Sequence, residues 1–283
     1  MKAARFPLPT GRLLRFAGAH AVLLVGAAFM LLPFIWMLLT AIRAPDEILT
    51  GGLNPIPRSF HAVENFSAAL QQAPLLRFMV NGVIICGGIL IIQLIVAIPA
   101  AYALAKLRFP GRGLLFAAVI GGLCIPIQVP ALPIYLALAE FGLLDSYFAM
   151  MVPFFLSVFA IFLFRQTFRG FPDEILQAAR VDGLGEFEIL WRIVVPSALP
   201  AIAAFSIFSI VAHWNDLYWP MIVIQRMDYA PPPLGMLFFA NSETGASYGV
   251  LMAGATIITA PLVLVFLLAR RRFVQGITMT GIK

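Results

Sequence analysis

The 283 residues are 61% apolar and only 11% charged, against roughly 45–50% and 25% in an average soluble domain, which excludes an ordinary water-soluble globular fold. The net charge of +6 lies in short clusters between long apolar runs, so it reports on membrane topology and gives no sign of a nucleic-acid partner. Two cysteines inside apolar runs (Cys86 and Cys124) and three scattered histidines (His20, His61, His213) exclude a disulfide framework and a metal centre.

The chain opens on a basic leader, residues 1–19, with Lys2, Arg5, Arg12 and Arg15. The apolar run from Ala21 to Ile42 comes next; at about 1.5 Å per residue it is long enough for a bilayer and too long for a signal-peptide core. It reads as a retained first span. Six spans are expected in all, over about 20–42, 78–105, 114–138, 148–168, 199–224 and 247–269, which makes 20–269 a transmembrane domain. Helices are the physical default, because backbone polar groups in lipid need internal partners. A β-barrel would alternate apolar and polar residues over about 10 positions per strand, and no such segment occurs. Pro33, Pro99, Pro126, Pro130, Pro133 and Pro220 kink or interrupt the spans. In the third segment they are expected to make a broken helix or an early exit.

The connections set the orientation. Fifteen of nineteen basic residues fall in the leader, the 106–113 loop, the 165–198 region and the 270–283 tail. Arg43, Arg58, Arg77 and Arg226 fall on the other side, in the turn-rich 43–77 stretch and the 226–246 segment, which reads as an exposed loop. The positive-inside rule places both termini in the cytoplasm, as an even span count requires.

Residues 170–198, between spans 4 and 5, form the most organised connection. Pro172 suits the start of a helix, and Asp173 and Glu174 suit its positive end. Gly183 permits a left-handed turn, and a second helix is expected from about Glu186. Its Phe187, Leu190, Trp191 and Val194 form an apolar stripe, and Glu188 pairs with Arg192 at i, i+4. From the residues alone, this helix–turn–helix is either a docking element for another subunit or an interfacial helix packed on the ends of its own bundle.

Gln177-Ala178-Ala179-x-x-Asp182-Gly183, with Ile193, Pro196 and Pro200 after it, closely resembles the EAA loop of ABC importer permeases. Other blocks resemble the maltose and glycerol-3-phosphate branch of that family: Ala100 to Ala105, Phe109 to Arg112, Gly142 to Ser146, Phe164-Arg165-Gln166, Trp214-Asn215, Trp219-Pro220 and Phe273 to Gly276. The resemblance covers almost the whole chain. It implies an all-α, type I importer permease of the bacterial inner membrane, with a cytoplasmic coupling helix. It also implies a second permease subunit as a heterodimer, an ATPase dimer and an extracytoplasmic solute-binding protein. Pro172, Glu174, Gln177, Ala178, Ala179, Asp182, Gly183, Ile193, Pro196 and Pro200 are then the residues expected to couple to the ATPase. The family's leading glutamate is Gln177 here, so a hydrogen bond replaces an ionic contact at that point.

The three lysines (Lys2, Lys106, Lys283) lie in no phosphate-binding loop. No cofactor is therefore expected on this chain, with ATP and Mg held by the partner ATPase. Polar side chains at bilayer depth mark the expected solute path: Asn81, Gln93, Gln128, Trp214, Asn215 and Asp216. Asp216 stands out as an acid inside the fifth segment, and Trp214, Tyr218 and Trp219 suit stacking on sugar faces. The competing reading of these residues is hydrogen bonding between helices or placement in the interface belt. Gly245 to Gly249 satisfies G-x-S-x-G but lies in a polar loop without a strand-to-helix elbow, so it is not read as catalytic. A sugar or sugar-like solute, with glycerol phosphate or a polyol as variants, fits the path. Half of an ion-coupled carrier is the alternative, with an intramembrane enzyme behind it.

Overall fold

The computed structural model describes residues 10–50, 57–241 and 248–278, and every regular element among them is helical. Lys2 and Arg5 of the leader, Ser247 of the G-x-S-x-G pattern and Lys283 of the tail lie outside the described residues. The chain divides into two compact units, Met1–Gln72 with Thr244–Thr256 and Ala73–Glu243 with Ile257–Lys283.

In the first unit α1, Thr10–Ala41, contains a single proline, Pro33, and turns Val22, Phe29 and Met30 outward. The 43–77 stretch holds more order than its turn residues predict. Here α2, Pro45–Thr50, and α3, Ala62–Gln72, are helices. Asn65 and Ala69, one turn apart, form the buried face of α3. The Asn65 amide donates to the carbonyls of Ala41 (3.0 Å) and Arg43 (2.8 Å), supplying partners that the end of α1 lacks. The Glu47 carboxylate accepts from the Arg58 amide at 2.9 and 3.1 Å.

The second unit is built on α4, Leu75–Lys106, which is 32 residues long. The third segment is broken: α5, Arg112–Leu123, and α6, Gln128–Glu140, meet at 97°. Pro126 causes the break, since it has no N–H and disfavours helix at the residue before it. A second pair, α7 (Tyr147–Met151, extended by a 3₁₀ turn to Phe154) and α8 (Val158–Arg169), bends by 44°. Ser157 restarts α8 by accepting from the Ala160 amide at 3.1 Å. Then come α9, Asp173–Val181, and α10, Glu186–Ile189, which runs through a π-helical turn, Leu190–Val194, into α11, Val195–Ser197. The chain bends by 78° into α12, Leu199–Trp214, and continues as α13 (Tyr218–Val223), α14 (Pro232–Ala240) and α15 (Tyr248–Thr278).

Arg15–Ala41, Leu75–Lys106 and Tyr248–Leu267 are each long and apolar enough to cross a membrane, and the three bent pairs bring the candidates to six. The fifth span is shorter than expected: helix stops at Trp214 instead of continuing to 224. The 226–246 segment also differs from the exposed loop read in the sequence. Pro232, Leu234, Gly235 and Phe239 of α14 are buried. The prolines start that helix, and Gly235 lies so close to the Phe78 ring of α4 that a Cβ would overlap it. Asp145, at φ 52, accepts from the amides of Gln225 (2.6 Å) and Arg226 (3.0 Å), which gives the Gly142–Ser146 block a structural reason.

Candidate functional site

The 170–198 connection is no pendant loop. Leu176 and Ala179 of α9 and Ile189, Leu190 and Val194 of the second helix are buried in one cluster with Ala101 and Leu104 of α4 and Phe164 and Phe168 of α8. The sequence places apolar residues on the inner face of both short helices, and burying them against the ends of α4 and α8 fixes the pair.

Between the helices the backbone forms a Schellman turn. Gly183 has φ +88, its N–H donates to the Arg180 carbonyl (3.1 Å), and the Leu184 N–H donates to the Ala179 carbonyl (3.0 Å). Ala179 is buried beneath it, while Gln177, Ala178 and Asp182 face outward. Pro172 stands one residue before the helix, at its N-cap, with Glu174 exposed in the first turn. Glu188 caps the second helix by accepting from the Gly185 amide at 3.3 Å, and its pairing with Arg192 is present at 3.3 Å. Ile193 is half-buried, Pro196 and Pro200 flank the bend into α12, and Pro196 is exposed.

The expected stripe is only half right. Leu190 and Val194 are buried with Ile189, whereas Phe187 is 72% and Trp191 38% exposed, their rings 6.0 Å apart. The π turn adds a residue and rotates the rest of the helix about its axis, a shift that a constant 3.6-residue count cannot contain. Phe187 precedes this turn and Trp191 lies within it, and the two are left together on the outer face.

Two polar latches, which the motif gave no hint of, tie this element to α4. The Lys106 ammonium donates to the Asp173 carboxylate and to the Phe171 carbonyl, each at 2.6 Å. One turn earlier, the Tyr102 hydroxyl donates to Glu186 at 2.6 Å, and Arg180 joins the same carboxylate at 2.7 Å. The signal was the i, i+4 spacing of Tyr102 and Lys106 at the end of a span. Lys106 holds the Asp173 carboxyl below its ordinary range by hydrogen bond and charge. The Arg180 hydrogen bond, and after it that of Tyr102, does the same for Glu186.

A depressed folded-state pKa means that the Glu186 latch contributes fully above the ordinary carboxylate range and fails as pH falls through the lower folded value. A spin label at Val181→Cys, with the native cysteines removed, should stay restricted at neutral pH and loosen only once the pH falls below the ordinary carboxylate range. Glu186→Gln should loosen it already at neutral pH. Equal mobility in both proteins at pH 7 would show that the latch does not hold the element.

The six path residues do not line one chamber. Asn81 is buried, its amide donating to the carbonyls of Asp228 (3.0 Å) and Ala230 (2.9 Å) while its oxygen accepts from the Tyr147 hydroxyl (2.7 Å). Gln93 accepts from Ser209 (2.7 Å), donates to the Phe154 carbonyl (3.0 Å) and lies 3.4 Å from His213. It borders a cavity of about 250 Å³ with Ser209 and His213. Gln128 borders another, about 280 Å³, with Tyr135 and Tyr218. Trp214 is buried beside an apolar cavity with Cys86 and Pro261. Asn215 is exposed and bonds back to the Val211 carbonyl at 2.8 Å.

Asp216 is not inside a helix, as the fifth segment implied. It lies in the break after α12, accepting from the amides of Tyr218 (3.0 Å) and Trp219 (3.4 Å) and so capping α13. Trp219 is fully buried and donates to the Ala149 carbonyl at 2.9 Å, so it presents no face to a solute in this conformation. Among the described residues there is no cluster of groups able to hold a metal ion.

Residues 93–279 match the profile of a family described as binding-protein-dependent transport system inner membrane component. Over 93% of its length the chain is 30% identical to the arabinooligosaccharides transport system permease protein AraQ of Halalkalibacterium halodurans, covering 96% of that protein. It is 28% identical to the diacetylchitobiose uptake system permease protein NgcG of Streptomyces coelicolor, covering 93% of this chain and 88% of that one. With the sn-glycerol-3-phosphate transport system permease protein UgpE of Escherichia coli it shares 29% identity, over 92% and 94% of the two chains. Among solved structures, a chain of a bacterial ABC transporter involved in the import of the acidic polysaccharide alginate superposes with a TM-score of 0.81. The match has 22% identity and covers 95% of this chain and 100% of that one.

Proposed function

Because the chain belongs to the family of binding-protein-dependent transport system inner membrane components, we infer that residues 170–198 dock a separate ATPase. The protein is a multi-pass permease subunit of a carbohydrate-type ABC importer in the bacterial inner membrane. The ion-coupled alternative finds no support among the relatives, which are permeases of such systems. In our reading the chain crosses the membrane six times with both termini in the cytoplasm. The basic-residue asymmetry, the three straight candidates and the first two bent pairs support this, with α12 as the membrane part of the third pair. The solute is a sugar or sugar-like compound, delivered by a binding protein, and a second permease subunit completes the path. ATP and Mg belong to the ATPase.

The observation that carries the docking is the outer face of α10. An aromatic pair, Phe187 and Trp191, is held exposed there on a helix otherwise anchored by Leu190, Val194 and the Glu186 latch. Exposed aromatics on a rigid support are the usual anchors of an interface. Gln177, Ala178 and Asp182 are exposed on the neighbouring α9 and its turn, and in our reading they extend the docking surface. Phe187→Ala should weaken retention of the ATPase by about tenfold in co-purification and lower ATP-dependent solute uptake in proportion. Uptake that persists on a proton or sodium gradient after ATP is depleted would overturn the reading.

A further inference from the structure

We propose that the basic cavity at the ends of α4, α5 and α8, beside α9, binds the phosphate of an anionic phospholipid headgroup. The cavity measures about 750 Å³ and is bordered by Arg108, Arg112, Arg169 and Gln177, together with the two latches. Lys106 is committed to Asp173 and Arg180 to Glu186. Arg108 and Arg169 are exposed with no carboxylate partner among the described residues, and Arg112 bonds the Leu107 carbonyl, at 2.9 Å. Arg108, Arg112 and Arg169 therefore share one space with the Asp173 and Glu186 carboxylates, which are already paired to Lys106 and Arg180, so the cavity carries an excess of positive charge.

A buried group on the same helix as Arg169, which does not itself border the cavity, adds to the positive charge. Arg165, one turn before Arg169 on α8, is only 9% exposed. Its guanidinium lies 3.4 Å from the centre of the Phe116 ring, and its Nε donates to the Leu104 carbonyl at 3.2 Å. Its Nη1 has no hydrogen-bond partner among the described residues, and the charged groups that act on it, Arg169 and Arg112, are both positive. Its charge adds to that of Arg169 and Arg112, and an anion held by those two in the cavity offsets it. The phosphate diester is the anion that guanidinium forks match best.

Position selects the lipid over a soluble phosphate. Helix α4 ends at Lys106, α5 begins at Arg112 and α8 ends at Arg169, so the cavity opens where three candidate spans leave the apolar layer. Basic pockets between spans at that depth take anionic headgroups. A volume of this size accommodates a phosphoglycerol group, since small-molecule pockets span about 300–1,000 Å³.

The assembled transporter, delipidated in detergent, can be titrated with phosphatidylglycerol, with phosphatidylcholine and with inorganic phosphate, and the bound lipid counted by native mass spectrometry. Phosphatidylglycerol should be retained in preference to phosphatidylcholine. The double variant Arg108→Gln with Arg169→Gln should reduce that retention about tenfold, leaving phosphatidylcholine unaffected. Both positions are exposed, so the fold should tolerate the change, and an unaltered unfolding midpoint checks it. The single variant Arg169→Glu gives an independent reading and should abolish the preference. Unchanged retention in these variants, or equal retention of both lipids, would overturn the proposal. Displacement of the lipid by equimolar inorganic phosphate would overturn the choice of lipid over soluble anion. Gln177, Arg180 and Glu186 belong both to the cavity and to the docking element, so the count is made with and without the ATPase, and a preference that persists without it stands apart from the coupling reading.

Discussion

Gly183→Val is expected to lower solute-stimulated ATP hydrolysis of the assembled transporter by about tenfold or more, while Gly183→Asn retains most of it. The cause is backbone conformation rather than space. A Cβ at Gly183 meets nothing within 4 Å, yet φ is +88, a region that costs an L residue about 1–2 kcal/mol and a β-branched one more. Valine relieves the strain by abandoning the Schellman bonds from Gly183 to Arg180 and from Leu184 to Ala179. The angle between α9 and α10 then changes, and with it the setting of Gln177, Ala178 and Asp182 against the Phe187–Trp191 pair. Asparagine tolerates the left-handed region and keeps the turn. Stimulated hydrolysis in proteoliposomes, measured with both variants, decides the matter. Equal activity in the valine and asparagine proteins would remove the turn from the coupling path.

The second large effect is expected at Asn81, which the sequence offers as a path residue and the fold uses as a pin. Asn81→Leu strips partners from the carbonyls of Asp228 and Ala230 and from the Tyr147 hydroxyl, all tied to one amide. Each buried polar group left unpaired costs about 1–3 kcal/mol, with hydrogen bonds between membrane helices at the low end, about 0.6 on average. A total near 2 kcal/mol should lower the unfolding midpoint of the purified complex by about 5 °C. The KM of the remaining transport should not change if the Asn81 amide is spent on holding α4 to the 228–230 segment and to Tyr147. A raised KM with an unshifted midpoint would return Asn81 to the path.

Gln93 illustrates why polar residues at bilayer depth are ambiguous in a sequence. An amide in an apolar run is either spent on a neighbouring helix or left for a ligand, and only its surroundings distinguish the two. Here Ser209 and the Phe154 carbonyl use most of its capacity, although it still borders a cavity with His213. Asp216 shows a different ambiguity. Apolar content runs on to 224, so the segment reads as one span, but Asp216 caps a new helix after Trp214. Local capping overrode the hydropathy window.

The sequence by itself determined whatever depends on local composition and on short spacing. The apolar runs, the basic clusters, the start of the second loop helix at Glu186 and the left-handed turn at Gly183 are of this kind, as is the Glu188–Arg192 pair. Each arises from residues within a turn or two of one another, or from transfer of side chains into an apolar layer. Only the tertiary structure decided the rest. Phe187 and Trp191 are left facing outward, Pro232 packs against Gly82 and Gly235 against Phe78, and Tyr102 and Lys106 reach partners 84 and 67 positions away. Those outcomes depend on which helix ends meet in space, and pairing across such separations leaves no periodic trace in the chain. The loop's motif is therefore legible in one dimension, whereas the latches that hold it, and the basic cavity beside it, exist only in three.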